Sequence, residues 1–345
     1  MAVLADDFEA EAAEEGQVAG EREANADSEC RPAAAGGLGL RPRHQRAADA
    51  AALQLGRHGD AVDVEVVGLH REAQAAGRLP VTRRQIQIAL GVLWLLDGLL
   101  QAQPYMFSRS FATQLIAGVG QGQPGFVSGP VHWASTVLAA HPFAWNIPSV
   151  VLQLLLGIGL LVPRTARVAL AASIAWALGV WYLGEGLGGI ASGHASLITG
   201  APGSALIYAI LGAAAWPTRE GSREGPASWL PFAWAVLWVG AAVFQALPVN
   251  HGNGAASNLT WWIVAAEYLI GLGALVRWTR LPAAAFGFVL AVVFWGSGQA
   301  WGQLTSGQAT DPNTGLVLAL MAVAVAGVAT LQPARLPAIR TRADR

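Results

Sequence analysis

From residue 86 onward, apolar runs of about 17–20 residues recur between short polar breaks, the length a helix needs to cross ~30 Å of hydrocarbon. The pattern predicts eight spans, over residues 86–103, 146–162, 166–184, 201–216, 229–247, 259–276, 282–299 and 314–332. The 201–216 run is the shortest. Such runs must be helical, because a backbone in lipid has to satisfy its own N–H and C=O groups. The expected fold is therefore all-α and membrane-embedded.

The runs repeat. Leu93-Trp94, Gln101-Ala102 and Pro104 match Leu237-Trp238, Gln245-Ala246 and Pro248 at an offset of 144 residues. Gly157, Gly159, Leu161 and Val162 match Gly271, Gly273, Leu275 and Val276 at an offset of 114. Trp181, Gly184, Gly188 and Gly193 match Trp295, Gly298, Gly302 and Gly307 at the same offset. The change of offset means that the first half carries about 30 extra residues between its first two spans. Four spans used twice predict two repeats in the same orientation, related by an axis along the membrane normal. The expected units are 81–218 and 228–333, followed by a basic tail, 334–345.

Arginine placement predicts the orientation. Arg78, Arg83, Arg84, Arg164, Arg167, Arg219, Arg223, Arg277, Arg280 and the tail's Arg335, Arg340, Arg342 and Arg345 fall on one side, against Arg109 on the other. The positive-inside rule puts both termini in the cytoplasm. Trp133, Trp145, Trp229, Trp261 and Trp262 lie near span ends, where indoles favour the interface.

Composition divides the chain at the same place. Hydrophobic residues make up 54% and charged residues 12% of the 345 positions, but the charge is concentrated before residue 85. All 14 Trp and all 4 Tyr come after it. Residues 1–80 are rich in Ala, Glu, Arg and Gly and lack enough apolar surface for a core. Two readings stand for them: a disordered cytoplasmic extension, or an over-extended reading frame with the natural start near Val81. All 21 basic residues are Arg, as expected of a GC-rich, bacterial coding sequence, and the absence of Lys removes Schiff-base chemistry. A single Cys, Cys30, excludes an internal disulfide and a CxxC pair. The net charge of −1 gives no reason to expect nucleic acid as a partner; the lipid bilayer is the expected one.

Arg84-x6-Gly91-x2-Trp94-x3-Gly98, opening a four-helix apolar unit with a short basic loop between its second and third helices, resembles the DoxX/DoxD-like membrane family. The resemblance covers 81–216 and, more weakly, 229–332. It implies a redox role, a quinone as the ligand and a membrane redox partner subunit. Members of that family include the small subunit of a thiosulfate:quinone oxidoreductase. The duplication departs from the family's single four-helix unit.

Ionisable groups inside hydrocarbon are costly and tend to face the bundle interior or a water-filled cavity. Asp97 falls mid-span with Gln101 one turn later on the same face. Glu267 falls in the sixth span, at the repeat position of Gln153. Asp97, Gln101, Gln153 and Glu267 form the candidate intramembrane site. Glu185 ends the third span, opposite Gln299 in the repeat, and His194 aligns with Gln308. These four form the candidate outer-loop site. The competing interpretation is that such groups are interhelical hydrogen bonds that hold the bundle together.

The Gly-rich stretch 184–193 superficially resembles a dinucleotide loop, but no strand precedes it. Glycine there suits a tight turn, and the matching loops of the two halves are expected to meet in an outward pocket. Asp311-Pro-Asn-Thr-Gly315 reads as a turn that caps the last span. In the insert, 108–118 and 131–141 are expected as short surface helices. No HxxxH spacing is present, so no metal site is expected. The functions left open are a quinone-associated redox subunit, a proton-coupled transporter of a small solute, and a non-enzymatic assembly subunit.

Overall fold

The computed structural model describes residues 81–218, 225–250 and 255–331, all within one compact unit, Ala73–Arg345. The expectations for residues 1–80, for Arg219 and Arg223 and for the tail 334–345 lie outside the described residues.

Among the described residues every regular element is helical. A helix occupies each of the eight predicted runs: α1 (Arg83–Gln101), α3 (Pro142–Leu161), α4 (Ala166–Leu183), α5 (Ser204–Ala214), α6 (Leu230–Gln245), α7 (Ala255–Leu275), α8 (Arg280–Ser297) and α9 (Thr314–Leu331). A further helix, α2 (Gly125–Ala140), lies in the insert. Four segments are long and apolar enough to cross a bilayer: Pro142–Leu161, Ala166–Leu183, Asn258–Leu275 and Arg280–Ser297. That is the character of a multi-pass membrane protein. Helices α5, α6 and α9 are apolar over shorter stretches. Helix α1 begins with two arginines and carries Asp97. The 201–216 run yields only the 11 residues of α5, about 16 Å at ~1.5 Å per residue.

The ends of α1 and α3 show how local chemistry sets the boundaries. Thr82 and Gln85 form a capping box: Gln85 N–H donates to Thr82 Oγ1 at 3.2 Å, and Thr82 N–H donates to Gln85 Oε1 at 2.8 Å. Within the first turn, Arg84 crosses to the C-terminal end of α3. It donates to the carbonyls of Leu160, at 2.8 Å, and Leu161. These acceptors have no partner inside their own helix, and a cation there also suits the helix dipole. Arg84→Ala should lower stability by about 2 kcal/mol, the range for hydrogen bonds to a charged donor. A thermal melt in detergent reads this, and an unchanged melt would show that the two helices do not depend on the contact.

Helix packing closes the same ring in each half. Helix α1 packs on α3, α3 on α4, α4 on α5, and α5 returns to α1. In the second half α6 packs on α7, α7 on α8, α8 on α9, and α9 returns to α6. Helices α5 and α9 also touch each other, and their side chains are mostly buried. The core centres on this pair. The outward faces of the longer helices carry exposed apolar residues such as Val168, Leu269 and Phe288, the surface a bilayer would cover.

Individual contacts recur at the sequence offsets. A Cβ on Gly157 would lie 2.6 Å from Leu95 Cγ and 2.8 Å from Gly91 O; one on Gly271 would lie 2.8 Å from Val239 and 3.2 Å from Ala235 O. Thr165 Oγ1 donates to Gly159 O at 2.8 Å, and Thr279 Oγ1 to Gly273 O at 2.7 Å. Trp181 Nε1 donates to Pro202 O at 2.7 Å, and Trp295 Nε1 to Pro312 O at 2.6 Å.

The insert differs from expectation. In place of a short helix over 131–141, α2 starts at Gly125, directly after Pro124, and runs through Pro130. Proline lacks the N–H that would bond to the carbonyl four residues back. That carbonyl, Phe126 O, instead accepts from the Tyr182 hydroxyl of α4 at 2.6 Å. Over 108–118 the backbone forms a π-helical turn, Phe111–Ile116, followed by Ala117–Val119.

Candidate functional site

A cavity of about 380 Å³ lies mainly within the first half, with Thr310 and Asp311 of the second half completing its wall. Helices α1, α3, α4 and α5 and the insert build its walls. Its apolar surface comes largely from rings: Trp94, Phe111, Trp133, Trp145, Trp176 and Tyr208. Trp94 and Tyr208 meet edge to face, with centroids 4.9 Å apart. Trp94 is fixed from behind, where its Nε1 donates to Ser173 Oγ at 2.8 Å. Trp133 and Trp145 are largely exposed and mark the rim.

Three of the four residues of the expected intramembrane site line this cavity: Asp97, Gln101 and Gln153. Asp97 is 3% exposed, and its Oδ1 has no hydrogen-bond partner. Gln101 does not pair with it. Gln101 Nε2 donates to Asn146 Oδ1 at 2.5 Å, and Asn146 Nδ2 returns a bond to Gln101 O at 3.0 Å. That exchange ties α1 to α3. Gln153 Oε1 is also without a partner. The fourth residue, Glu267, lies on α7 in the second half. It is fully buried, neither carboxylate oxygen has a partner, and it is not part of the cavity wall.

The outer-loop residues separate in the same way. Glu185 lines the cavity's outer end. Its Oε1 accepts from Ser204 Oγ at 2.8 Å and from Ala205 N at 3.2 Å, so it caps the start of α5. Its Oε2 has no partner. Burial, and after it the nearby Asp311 carboxylate, push the Glu185 carboxyl up to about 8, against the pull of the hydrogen bonds from Ser204 and Ala205. Gln299 holds the equivalent place in the second half. Its Oε1 accepts from Gly315 N at 2.8 Å, at the start of α9, and its Nε2 donates to Leu197 O at 2.9 Å. Gln299 is thus committed to a structural bridge. His194 is exposed, with Nδ1 3.4 Å from Ser192 Oγ, and Gln308 is exposed.

A second pocket, of about 720 Å³, lies among the outer loops. The loop after α4, the insert and residues Asp311, Asn313 and Thr314 line it, so the loops of the two halves do meet there. Gly184, Glu185, Ser204 and Asp311 belong to both spaces. Glu185 and Asp311 therefore stand in the wall between the cavity and the outer pocket.

Two further functional candidates are poorly marked in the sequence. Tyr208, on α5, is 2% exposed, and its hydroxyl approaches the Asp97 carboxyl without completing a hydrogen bond of ordinary geometry. A phenol in the middle of an apolar run is the only local signal. Asp311 does make the expected turn, since its Oδ1 accepts from Asn313 N at 2.7 Å. It also turns its charge toward Asp97 and Glu185. Among the described residues, no three His, Cys, Asp or Glu side chains converge closely enough to hold a metal ion. No family model, curated protein or solved structure matches the chain.

The arrangement can do two things chemically. Its inner end offers acceptors and acids to a molecule with a polar head and an apolar body. Its shared wall puts an acid whose carboxyl is pushed up to about 8 between that molecule and the outer pocket.

Proposed function

We propose that the protein is an eight-span protein of the bacterial cytoplasmic membrane, built by tandem duplication of a four-helix unit, with both termini in the cytoplasm. Its first unit carries a small amphipathic solute and couples this to proton movement. The observation that carries this reading is the pair of spaces sharing Glu185 and Asp311: one within the helices, one among the outer loops. A solute bound in the first can displace a proton to the second. The contacts that recur between the halves, from Thr165 and Thr279 to Trp181 and Trp295, support the duplication.

Proteoliposomes holding an internal pH dye provide the test. A panel of small amphipathic solutes is added outside an imposed pH gradient. At least one should dissipate the gradient in the wild type and not in Asp97→Asn. No solute-dependent proton movement across the panel would sink the carrier reading.

A second reading is a DoxX-like, quinone-associated redox subunit with a membrane partner. The exposed Trp133 and Trp145 at the rim favour it, because a quinone enters its site from the bilayer. A short-chain benzoquinone analogue should then quench the cavity tryptophans saturably. A fixed partner that co-purifies, with neither proton movement nor quinone binding, would make the protein an assembly subunit instead.

A further inference from the structure

The carrier reading leaves the solute's chemistry open, and the lining of the cavity narrows it.

Three carboxyl groups line the cavity, from Asp97 on α1, Glu185 after α4 and Asp311 before α9. Among the described residues no arginine or histidine lines it, and the chain contains no lysine. Buried acids are ordinarily paired with a cation or fully hydrogen-bonded. Here one oxygen of Asp97 and one of Glu185 have no partner, and the Tyr208 hydroxyl, which approaches Asp97, completes no hydrogen bond of ordinary geometry. Asp97 and Tyr208 are both more than nine-tenths buried. The missing complement is a positive charge or a set of donors.

The walls decide between those. Six aromatic rings surround the acids, and ring faces attract cations as well as apolar groups. A buried carboxylate is attracted coulombically to any cation set against it, whether or not that cation can donate a hydrogen bond. An anion would meet three acids and no base. The volume of about 380 Å³ falls within the range of small-molecule sites.

Taking the carrier reading as the basis, we propose that the cavity binds a lipophilic organic cation, an amine or onium group with an apolar body. The charged centre sits between Asp97 and Glu185, within reach of Tyr208 Oη. The apolar body lies against Trp94, Trp176 and Phe111 and enters past Trp133 and Trp145. Binding displaces a proton from the acid pair. The titratable groups facing that pair are Tyr208 on α5 and Asp311 before α9, and His194 lies in the outer pocket. None of them supplies a fixed positive charge at the cavity wall, so the ligand's own charge sets the proton balance.

Tetraphenylphosphonium is the probe, with tetraphenylborate as an anion of the same shape and a short-chain benzoquinol as a neutral donor. Equilibrium dialysis on full-length protein in nanodiscs should show saturable phosphonium binding. It should tighten by up to about tenfold per pH unit between about pH 6 and pH 8 as one proton is displaced. About one proton should be released per phosphonium bound in weakly buffered solution. Asp97→Asn should weaken binding at least tenfold. Glu185→Gln should weaken it and flatten the pH dependence. Glu185→Gln also guards against misfolding, because the second half already uses glutamine at the equivalent place. Phosphonium binding indifferent to pH and to both substitutions would overturn the proposal, as would equal binding of tetraphenylborate. Tighter binding of the benzoquinol, with no competition from phosphonium, would replace the cation with a quinone-like ligand. The two failures are separable: phosphonium that binds but moves no protons in proteoliposomes removes the carrier reading and leaves the site. Proton movement driven by a neutral solute and untouched by phosphonium removes the cation and leaves the carrier.

Discussion

Gly188→Ala is expected to cost about 3 kcal/mol or more, although it adds one methyl group to a surface-side loop. Gly188 has φ +61°, and a Cβ there would fall on the carbonyl of Pro202, which is backbone and cannot swing aside as a flexible side chain would. The left-handed conformation costs an L-residue roughly 1–2 kcal/mol, and overpacking typically adds about 1–3 kcal/mol. For a unit of this size, that amounts to a fall in melting temperature of roughly 10 °C. Gly189 provides the control. Its φ is +77°, but the nearest atom to a Cβ there is 3.6 Å away. Gly189→Ala should therefore show the conformational cost alone, about 1–2 kcal/mol. Equal effects at the two positions would mean that the loop does not close on Pro202. The same closure recurs between Gly302 and Pro312, so Gly302→Ala should resemble Gly188→Ala.

The second large effect is on the pH dependence of stability. Glu185 titrates near 8 in the folded protein and near the ordinary 4.5 once exposed. Between those values the folded state holds a proton that the unfolded state has lost. Stability should then fall as pH rises from about 5 to about 8, and level off above that. Below about 5 both states are protonated, the penalty is absent and the full stability is present. Solvent near the half-buried side chain reduces the full linkage, leaving a loss on the order of 2–3 kcal/mol. Glu185→Gln should remove this slope while keeping the cap on α5. Chemical denaturation in detergent at about pH 5.5 and about pH 8.5 measures both forms. A wild-type protein equally stable at the two would show that the carboxyl is not held away from water.

The helices were legible because each follows an apolar run, and all eight lie within a few residues of their predicted places, although only four are long and apolar enough to cross a membrane. The insert was harder. Gly125, Gly129 and Pro130 read locally as breaks, and the donor for the carbonyl that Pro130 cannot serve, the Tyr182 hydroxyl, comes from far along the chain. The candidate site was legible as residue types but not as a grouping. Asp97, Gln101, Gln153 and Glu185 stand out wherever apolar sequence surrounds them. Their sharing one cavity, with Glu267 outside it, depends on which faces of α1, α3 and α7 turn inward. Asp311 shows why local signals can mask a distant role. Its turn is real, and nothing in Asp311-Pro-Asn-Thr-Gly315 indicates that the carboxylate also looks toward α1.

The four segments apolar enough to cross a membrane unaided form two hairpins, α3 with α4 and α7 with α8, each closed by a threonine hydroxyl on a glycine carbonyl. The helices flanking them are either short or carry charge. On the eight-span topology proposed above, these hairpins are the pairs apolar enough to settle in lipid unaided, and α1, α5, α6 and α9 would depend on docking against them. Truncation after α4 should therefore yield an inserted fragment, whereas α1 synthesised alone should remain at the membrane surface.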